Sequence, residues 1–389
     1  MDSRLHSAIS LASVAPGPLL WRLVSKEGFG RVLVAACDLP AGTLVCSERP
    51  LVVAPVAAAS SPAALRGEAQ AVAVALLESP VEAAALLCSP AHGEGSAEAV
   101  AFDVAADAFA AACPSHDSAT ARHWLGVASV NVHAAERPAR GVLGLLTSMM
   151  QHDCTPSAHV TVGSEAGGSL LSLRTCRDVA QGEPLSISYV VSYQPTADRR
   201  AQLLSQHGFR CACHRCEQAP ELVRCFVCHS CGEAPSSPVA SDEGCRSLVC
   251  FGCGDTTSLD DESWAELLAA ERSSDLGECM RRLHPYHHKM VAAYRSNIGR
   301  VPIAGGQRAE VYCQFADARI RLSGNPLDPL AAADLERAAV CYRAAGDAPS
   351  AARLFCSAEE GFVAHFGVGS LEAARCRKAL SALQAARGP

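Results

Sequence analysis

The chain has 389 residues, 49% hydrophobic and 19% charged, with a formal net charge of −7. That length allows two or three domains with cores of their own, and the balance is that of a globular chain, not a disordered one. The negative net charge excludes a global basic footprint, so nucleic acid is not expected to bind over the whole surface.

The 20 cysteines are the outlier. The opening "MDSRLHSAISLASVAPGPLLWRL" lacks the apolar run behind a basic segment that marks a secretory leader. No window approaches ~18 uncharged apolar residues, so no membrane span is expected. A reducing compartment, cytoplasmic and/or nuclear, is the expectation. There, the nine cysteines crowded between Cys211 and Cys253 read as metal ligands, not disulfides.

Taken in chain order, "FGRVLVAACDLPAGTLVCSERPLVV" (29–53) sets short β-branched runs around Asp38-Leu39-Pro40-Ala41-Gly42, and predicts a hairpin. Residues 56–130 are Ala-rich with helical periodicity. Ser79-Pro80 predicts an N-cap and first helical position for "VEAAALLC", and "AHGEGSA" reads as a loop. Short strands return between about 142 and 193, in "HVTVG", "SLLSLRTC" and "PLSISYVVSY". Beyond about 260 the pattern is helical. There "LERAAVCYRAAGDAPSAARLFCSAEEGFVAHFG" turns at Ala345-Gly346-Asp347, as either a repeat of the tetratricopeptide kind or an ordinary helical bundle. His287 and His288 are expected at a solvated helix start and receive no role. Cys279, Cys313, Cys341, Cys356 and Cys376 are expected to be small buried hydrophobes.

Two patterns carry metal chemistry. Cys211, Cys213 and Cys216 form C-x-C-x-x-C, but three thiolates do not close a tetrahedral zinc site. Cys154, in "SMMQHDCTPSAHV", reads by itself as a buried structural thiol. The second pattern is Cys228-x-x-Cys231-Gly, eighteen residues, then Cys250-x-x-Cys253-Gly, a spacing within the zinc-ribbon range. Two cysteines three apart on a tight turn face one ion, and the Gly tolerates the bend. Cys225 and Cys245 leave the register open by one pair. Such a site staples a small subdomain and does no chemistry.

The ordered stretches "GRVLVAACDLPAGTLV", "QHDCTPSA", "GEPLSISY" and "HGFRCACHRC" resemble those of SET-domain lysine methyltransferases. With the helical C-terminal third, the chain looks most like the SMYD-type branch. Residues 51–130 hold only Cys88 and Cys113, too few for that branch's MYND zinc finger. The likeness covers about 28–217. It implies an α+β fold: a β-rich SET core over 20–205 with a helical insert at about 55–130, a post-SET and zinc-ribbon-like region over 206–258, and an all-α, TPR-like domain over 260–389. The family's post-SET zinc takes one distant cysteine, which implies Cys154 as fourth ligand to Cys211, Cys213 and Cys216.

The implied activity is methyl transfer from S-adenosylmethionine to a protein lysine. A neutral amine attacks the sulfonium-activated methyl in line, so the enzyme positions the two and keeps the amine unprotonated in an apolar channel. An aromatic wall favours the cationic donor. Tyr189 matches the family's catalytic tyrosine, and His207 takes the place of a channel tyrosine. Gly30, Arg31, Asn131, Gln151 and His152, with Tyr189, fall where the family contacts the cofactor. Four positions depart from the pattern: Val32 for a Gly, Gln151 and Ser157 for Asn, and His207 for Tyr. A displacement of about an ångström at such a site costs about a hundredfold in rate. The alternative is therefore a weak or inactive SET/TPR-like scaffold. A third reading, a nucleic-acid binder using the ribbon, has few basic residues to draw on, Arg246 the clearest. The expected partners are a lysine-bearing protein and peptide segments on the C-terminal helices, with no membrane.

Overall fold

The computed structural model describes residues 19–26, 30–56, 67–89, 96–136, 139–165, 168–218, 220–239, 246–297 and 305–385, and all that follows concerns these. Phe29, Cys245 and most of "AHGEGSA" lie outside them. The chain divides into two compact units. One comprises Met1–Val190 with Arg200–Cys211, the other Val191–Arg199 with Ala212–Pro389.

In the first unit β1 (Trp21–Lys26) runs antiparallel to β2 (Gly30–Ala35), from Trp21 opposite Ala35 to Lys26 opposite Gly30. The predicted turn after β2 forms, with the Thr43 N–H and hydroxyl both donating to the Pro40 carbonyl at 3.2 and 2.7 Å. The predicted hairpin does not. β3 (Leu44–Glu48) pairs with β9 (Gly168–Thr175), while the other edge of β2 receives residues 183–185 through Ala35 N to Glu183 O and Leu185 N to Leu33 O, both 2.9 Å. The reason is burial. Val32, Leu33, Val34 and Ala35 are buried in succession, the mark of a strand covered on both faces, and its partners come from distant chain rather than across the nearest turn.

Two further sheets complete the core. One has the order β4-β6-β5, from Val52–Pro55, Ala139–Leu143 and Val132–Glu136. The other has the order β3-β9-β8, with β8 at Ala158–Glu165. Short β7 (Gln151–His152) and β10 (Ser186–Ile187) lie parallel, Gln151 beside Ser186 and His152 beside Ile187.

The insert supplies α1 (Gly67–Glu78), α2 (Ala97–Ala112) and α3 (Ser118–Asn131). Small residues let α1 lie close on the sheet: a Cβ on Gly141 of β6 would sit 2.4 Å from the Glu68 carbonyl oxygen. Ser79 does not start a helix. Its N–H bonds the Ala75 carbonyl at 2.9 Å and closes α1, because a residue before proline disfavours the helical region. A 3-10 turn, Glu82–Leu86, follows without a side-chain cap. The caps are Ser96, whose hydroxyl accepts from Ala99 N at 3.1 Å, and Asp117, whose carboxylate accepts from Thr120 N at 2.9 Å.

α4 (Thr196–His207) and the short α5 (His214–Glu217) follow β10. The second unit then forms an antiparallel sheet of β11 (Phe226–Val227), β12 (Pro235–Pro238), β13 (Ser247–Cys250) and β14 (Thr256–Ser258) in sequential order. Its helices are α6 (Asp261–Arg272), α7 (Leu276–Arg282), α8 (His288–Asn297), α9 (Gly305–Ser323), α10 (Pro329–Ala344), α11 (Ala348–Phe366) and α12 (Leu371–Ala385). The turn at 345–347 forms as predicted, with Gly346 at φ 85° and Asp347 accepting from Ser350 N at 3.0 Å. Small residues bring α10 and α11 together: a Cβ on Gly361 would lie 2.7 Å from that of Ala332.

Two expectations change here. His287 is fully buried instead of solvated, with its Nε2 2.9 Å from Glu271 Oε1. Of the scattered cysteines Cys279 and Cys376 are buried, Cys313 and Cys341 half-buried, and Cys356 exposed. No helix among the described residues is long and apolar enough to cross a membrane.

Candidate active site

The parallel β7–β10 pair decides where Tyr189 goes. Pairing aligns Ile187 with His152, and two residues on the Tyr189 N–H donates to His152 Nδ1 at 3.1 Å. Because Nδ1 accepts, the ring proton sits on Nε2, which lies 3.3 Å from Cys154 Sγ. The Tyr189 hydroxyl donates to the Met150 carbonyl. His207, ending α4, brings its ring to 4.7 Å from that of Tyr189, tilted by 39°. Phe209 stands 6.1 Å from His152.

These groups border a cavity of about 150 Å³ whose wall includes Asn131, Thr147, Ser148, Ser188, Tyr189 and His207. Burial, with the nearby Cys88 as a second cause, pushes the Tyr189 hydroxyl up to about 12. It therefore stays protonated near neutrality. With its proton on Met150, the phenol oxygen is left as an acceptor toward anything entering the cavity. Asn131 gives its amide protons to the carbonyls of Cys88 at 2.8 Å and Val127 at 2.7 Å, so its carbonyl oxygen is the part left to accept.

Sequence reasoning missed Glu48. It is fully buried, and one carboxylate oxygen accepts from Leu145 N at 3.0 Å and Leu146 N at 2.8 Å. The other accepts from Thr147 N at 2.8 Å and the Thr147 hydroxyl at 2.7 Å. That carboxylate fixes the segment that lines the cavity with Thr147 and Ser148 and offers the Met150 carbonyl to Tyr189. Gly144 is required beside it, since a Cβ there would lie 2.3 Å from Glu48 Oε1. The only signal in the sequence is an acidic residue within a run of strand character, "LVCSERP".

Tyr189, His207 and Asn131 thus come together on one cavity. Gly30, Arg31, Gln151 and His152 are not among the residues bordering it. Gly30 opens β2 at φ 71°, where only backbone conformation asks for glycine, and the Arg31 guanidinium donates to the Leu86 carbonyl. Gln151 is half-buried in β7. Val32 is 1% exposed and buried in β2, so its bulk does not project onto this cavity. Ser157 makes a reciprocal pair with Ser186: each backbone N–H donates to the other's hydroxyl, at 3.1 and 2.8 Å. The substitution therefore fastens the segment after β7 to β10.

Both cysteine sets gather. The sulfurs of Cys154, Cys211, Cys213 and Cys216 lie within 4.8 Å of one another, as do those of Cys228, Cys231, Cys250 and Cys253. An all-sulfur set of four suits zinc, whose bonds of about 2.3 Å place ligands some 3.8 Å apart. Cys225 stands outside, its thiol donating to the Leu222 carbonyl at 3.0 Å and held up at about 12 by burial.

Residues 30–190 match the family model of the SET domain. A SET and MYND domain-containing protein of Dictyostelium discoideum is 34% identical over 80 residues, 20% of this chain and 22% of that protein. The human histone-lysine N-methyltransferase SMYD3 is 36% identical over 70 residues, 18% of this chain and 15% of that protein. The chain thus aligns with about a fifth of the length of the relatives it matches. A crystal structure of the SET domain of LSMT bound to lysine and AdoHcy superposes with a TM-score of 0.41 at 13% identity, over 99% of this chain and 91% of that one. Residues 30–190 are thus similar to SET domains, and the relatives that align with part of this chain include SET and MYND domain-containing proteins.

Proposed function

We propose that this chain transfers a methyl group from S-adenosylmethionine to the ε-amine of a protein lysine. The observation that carries this is the Tyr189–His207 pair on the cavity wall, with the Tyr189 proton committed to Met150. S-adenosylmethionine supplies an electrophilic methyl on a positive sulfur. Everything else falls to the chain. The Tyr189 oxygen accepts one N–H of a neutral amine and so aims its lone pair away from the ring, toward the methyl. The aromatic faces of Tyr189 and His207 disfavour water and favour a cationic donor without offering a counter-ion. Asn131 adds one carbonyl acceptor, and Thr147 and Ser148, whose hydroxyl protons go to Glu48 and the Gly144 carbonyl, add hydroxyl oxygens to the wall. His152 holds the backbone of Tyr189, and Gly30, Arg31 and Gln151 are read as more distant contacts of the cofactor. The name of the SMYD3 relative supports a protein lysine as acceptor.

We take Cys154, Cys211, Cys213 and Cys216 to hold a structural zinc ion, supported by their shared proximity. The organisation into 20–205, 206–258 and 260–389 goes with this reading. The close Gly361–Ala332 contact supports a TPR-like array, whose concave side would take peptide segments. The compartment proposed is cytoplasmic and/or nuclear. A nucleic-acid role for the ribbon loses its clearest residue, since Arg246 is paired with Asp261.

The test is S-adenosylmethionine binding by calorimetry on zinc-replete full-length protein, which requires no knowledge of the substrate. Micromolar binding is expected. No binding by protein that is folded and holds its zinc would overturn the enzymatic reading in favour of the scaffold.

A further inference from the structure

The second cysteine set lies in the second unit and takes no part in the proposed chemistry. Its two halves repeat one another. In the first, the N–H groups of Ser230 and Cys231 point at Cys228 Sγ from 3.3 and 3.5 Å. In the second, Gly252 and Cys253 do the same to Cys250 Sγ, again at 3.3 and 3.5 Å. The next residue of each half is a glycine at positive φ, Gly232 at 73° and Gly254 at 74°. Each returns its N–H to the first cysteine's carbonyl, at 3.0 and 3.1 Å. Paired N–H groups aimed at a sulfur stabilise a thiolate, and a glycine turn gives both thiolates of a knuckle one common direction.

The sulfurs are also spaced for an ion. Cys228 and Cys253 are 3.8 Å apart, as are Cys231 and Cys250. That is the edge of a tetrahedron with metal–sulfur bonds of about 2.3 Å. It is nearly twice the length of a disulfide bond, about 2.05 Å.

We propose that Cys228, Cys231, Cys250 and Cys253 bind one zinc ion that staples the β11–β14 sheet onto the helices of the second unit. The attachment starts one residue beyond the first knuckle. Tyr286 N donates to His284 Nδ1 at 3.2 Å, so the ring proton is on Nε2 and goes to the Glu233 carbonyl at 3.2 Å. The His284 N–H in turn bonds the Cys225 carbonyl at 2.9 Å, and Phe226 of β11 meets the Trp264 ring at 6.4 Å. A sheet of strands two to four residues long has too little core to hold this shape alone, so the ion supplies the closure. Cys231 and Cys253 are exposed whereas Cys154, Cys211 and Cys216 are buried, which makes this ion the one a chelator removes first.

The experiment is zinc per chain by elemental analysis on reduced full-length protein. Two ions are expected, falling to one in Cys231→Ser, in Cys253→Ser and in their double variant, because both ligands serve the same ion. Protease sites within 226–258 should open in those variants and in protein treated briefly with a chelator. Cys253→His, which keeps four ligands, should retain both ions, and this guards against a variant that merely fails to fold. Unchanged zinc in Cys253→Ser would overturn the proposal, as would disulfides among these four cysteines in protein purified under reducing conditions.

Discussion

His152 holds Tyr189 by the backbone, accepting its N–H at 3.1 Å on the ring nitrogen that faces away from Cys154. One imidazole therefore spans a cysteine of the first thiol set and the residue proposed to orient the amine. Removing the ring should let the Tyr189 backbone relax without altering its side chain. His152→Ala is expected to lower transfer of labelled methyl to bulk cellular protein by tenfold or more, by the usual sensitivity of such sites to sub-ångström displacement. His152→Asn places an acceptor near the Nδ1 position and should recover most of that loss, whereas His152→Gln, which restores only the outer donor, should not. Equal activity in Asn and Gln variants would remove the backbone bond from this role.

Tyr189→Phe deletes the acceptor and leaves the Met150 carbonyl without its donor. The stability cost should be about 1–3 kcal/mol, the penalty of one unsatisfied buried polar group. Methyl transfer should fall by about a hundredfold or more, the scale of a positioned polar group at a reacting centre. Zinc content and the circular dichroism spectrum should not change. Full activity in this variant would exclude Tyr189.

Glu48 carries four hydrogen bonds from one tripeptide, all with the carboxylate as acceptor. Glu48→Gln turns one acceptor into a donor facing donors, and should cost about 2–4 kcal/mol. Gly144→Ala drives a methyl into the same carboxylate and the Thr147 hydroxyl, and should cost at least as much as ordinary core overpacking, about 1–3 kcal/mol. Denaturant unfolding reads both. The double variant should be less destabilised than the sum of the two, because each change disrupts the same contact.

Local spacing was enough to find the Cys228–Cys253 set and three thiols of the first, since C-x-C-x-x-C and paired C-x-x-C-G state their geometry within a few residues. Cys154, far upstream, was legible only through the family resemblance. The meeting of Tyr189 and His207 was legible only through the order of four short motifs, because eighteen positions separate the two and His207 stands at the far end of a helix. Glu48 was invisible: its partners are backbone N–H groups some 97–99 positions away, which no side-chain pattern announces. The hairpin failed for a related reason. Turn chemistry at 38–43 is local and was read correctly, while the partners of β2 and β3 are chosen by burial on both faces. His287 looked solvated in "HPYHHKM" because Glu271, which makes its burial tolerable, comes from another helix.

That last contact contributes to the acid limb of stability in the second unit. Burial alone would raise the Glu271 carboxyl, but hydrogen bonds from His287 and Arg224 outweigh it and bring it from 4.5 to about 2. Arg224 is bidentate on it, at 2.8 and 2.7 Å. Between those two values the native state binds fewer protons than the unfolded chain, so its contribution is complete above 4.5 and is lost as the pH falls toward 2. At ~1.4 kcal/mol per pKa unit this is about 3 kcal/mol. The histidines act earlier. Burial lowers His284 and His287 and, with His287 as a second cause, brings His288 to about 3, with Arg224 and Lys289 adding to the effect on the last two. Each is neutral in the native state and charges on unfolding, so stability is full above the ordinary value of 6.5 and declines as the pH falls below it. Scanning calorimetry should therefore show the melting temperature falling in two stages, the first below 6.5 and the second below 4.5. His287→Gln, which keeps a donor for Glu271, should flatten the first stage. Glu271→Gln should weaken the second and cost about 3–5 kcal/mol at neutral pH, since Arg224 then loses its bidentate partner. A single-stage profile unaltered by His287→Gln would rule out the buried histidine as its source.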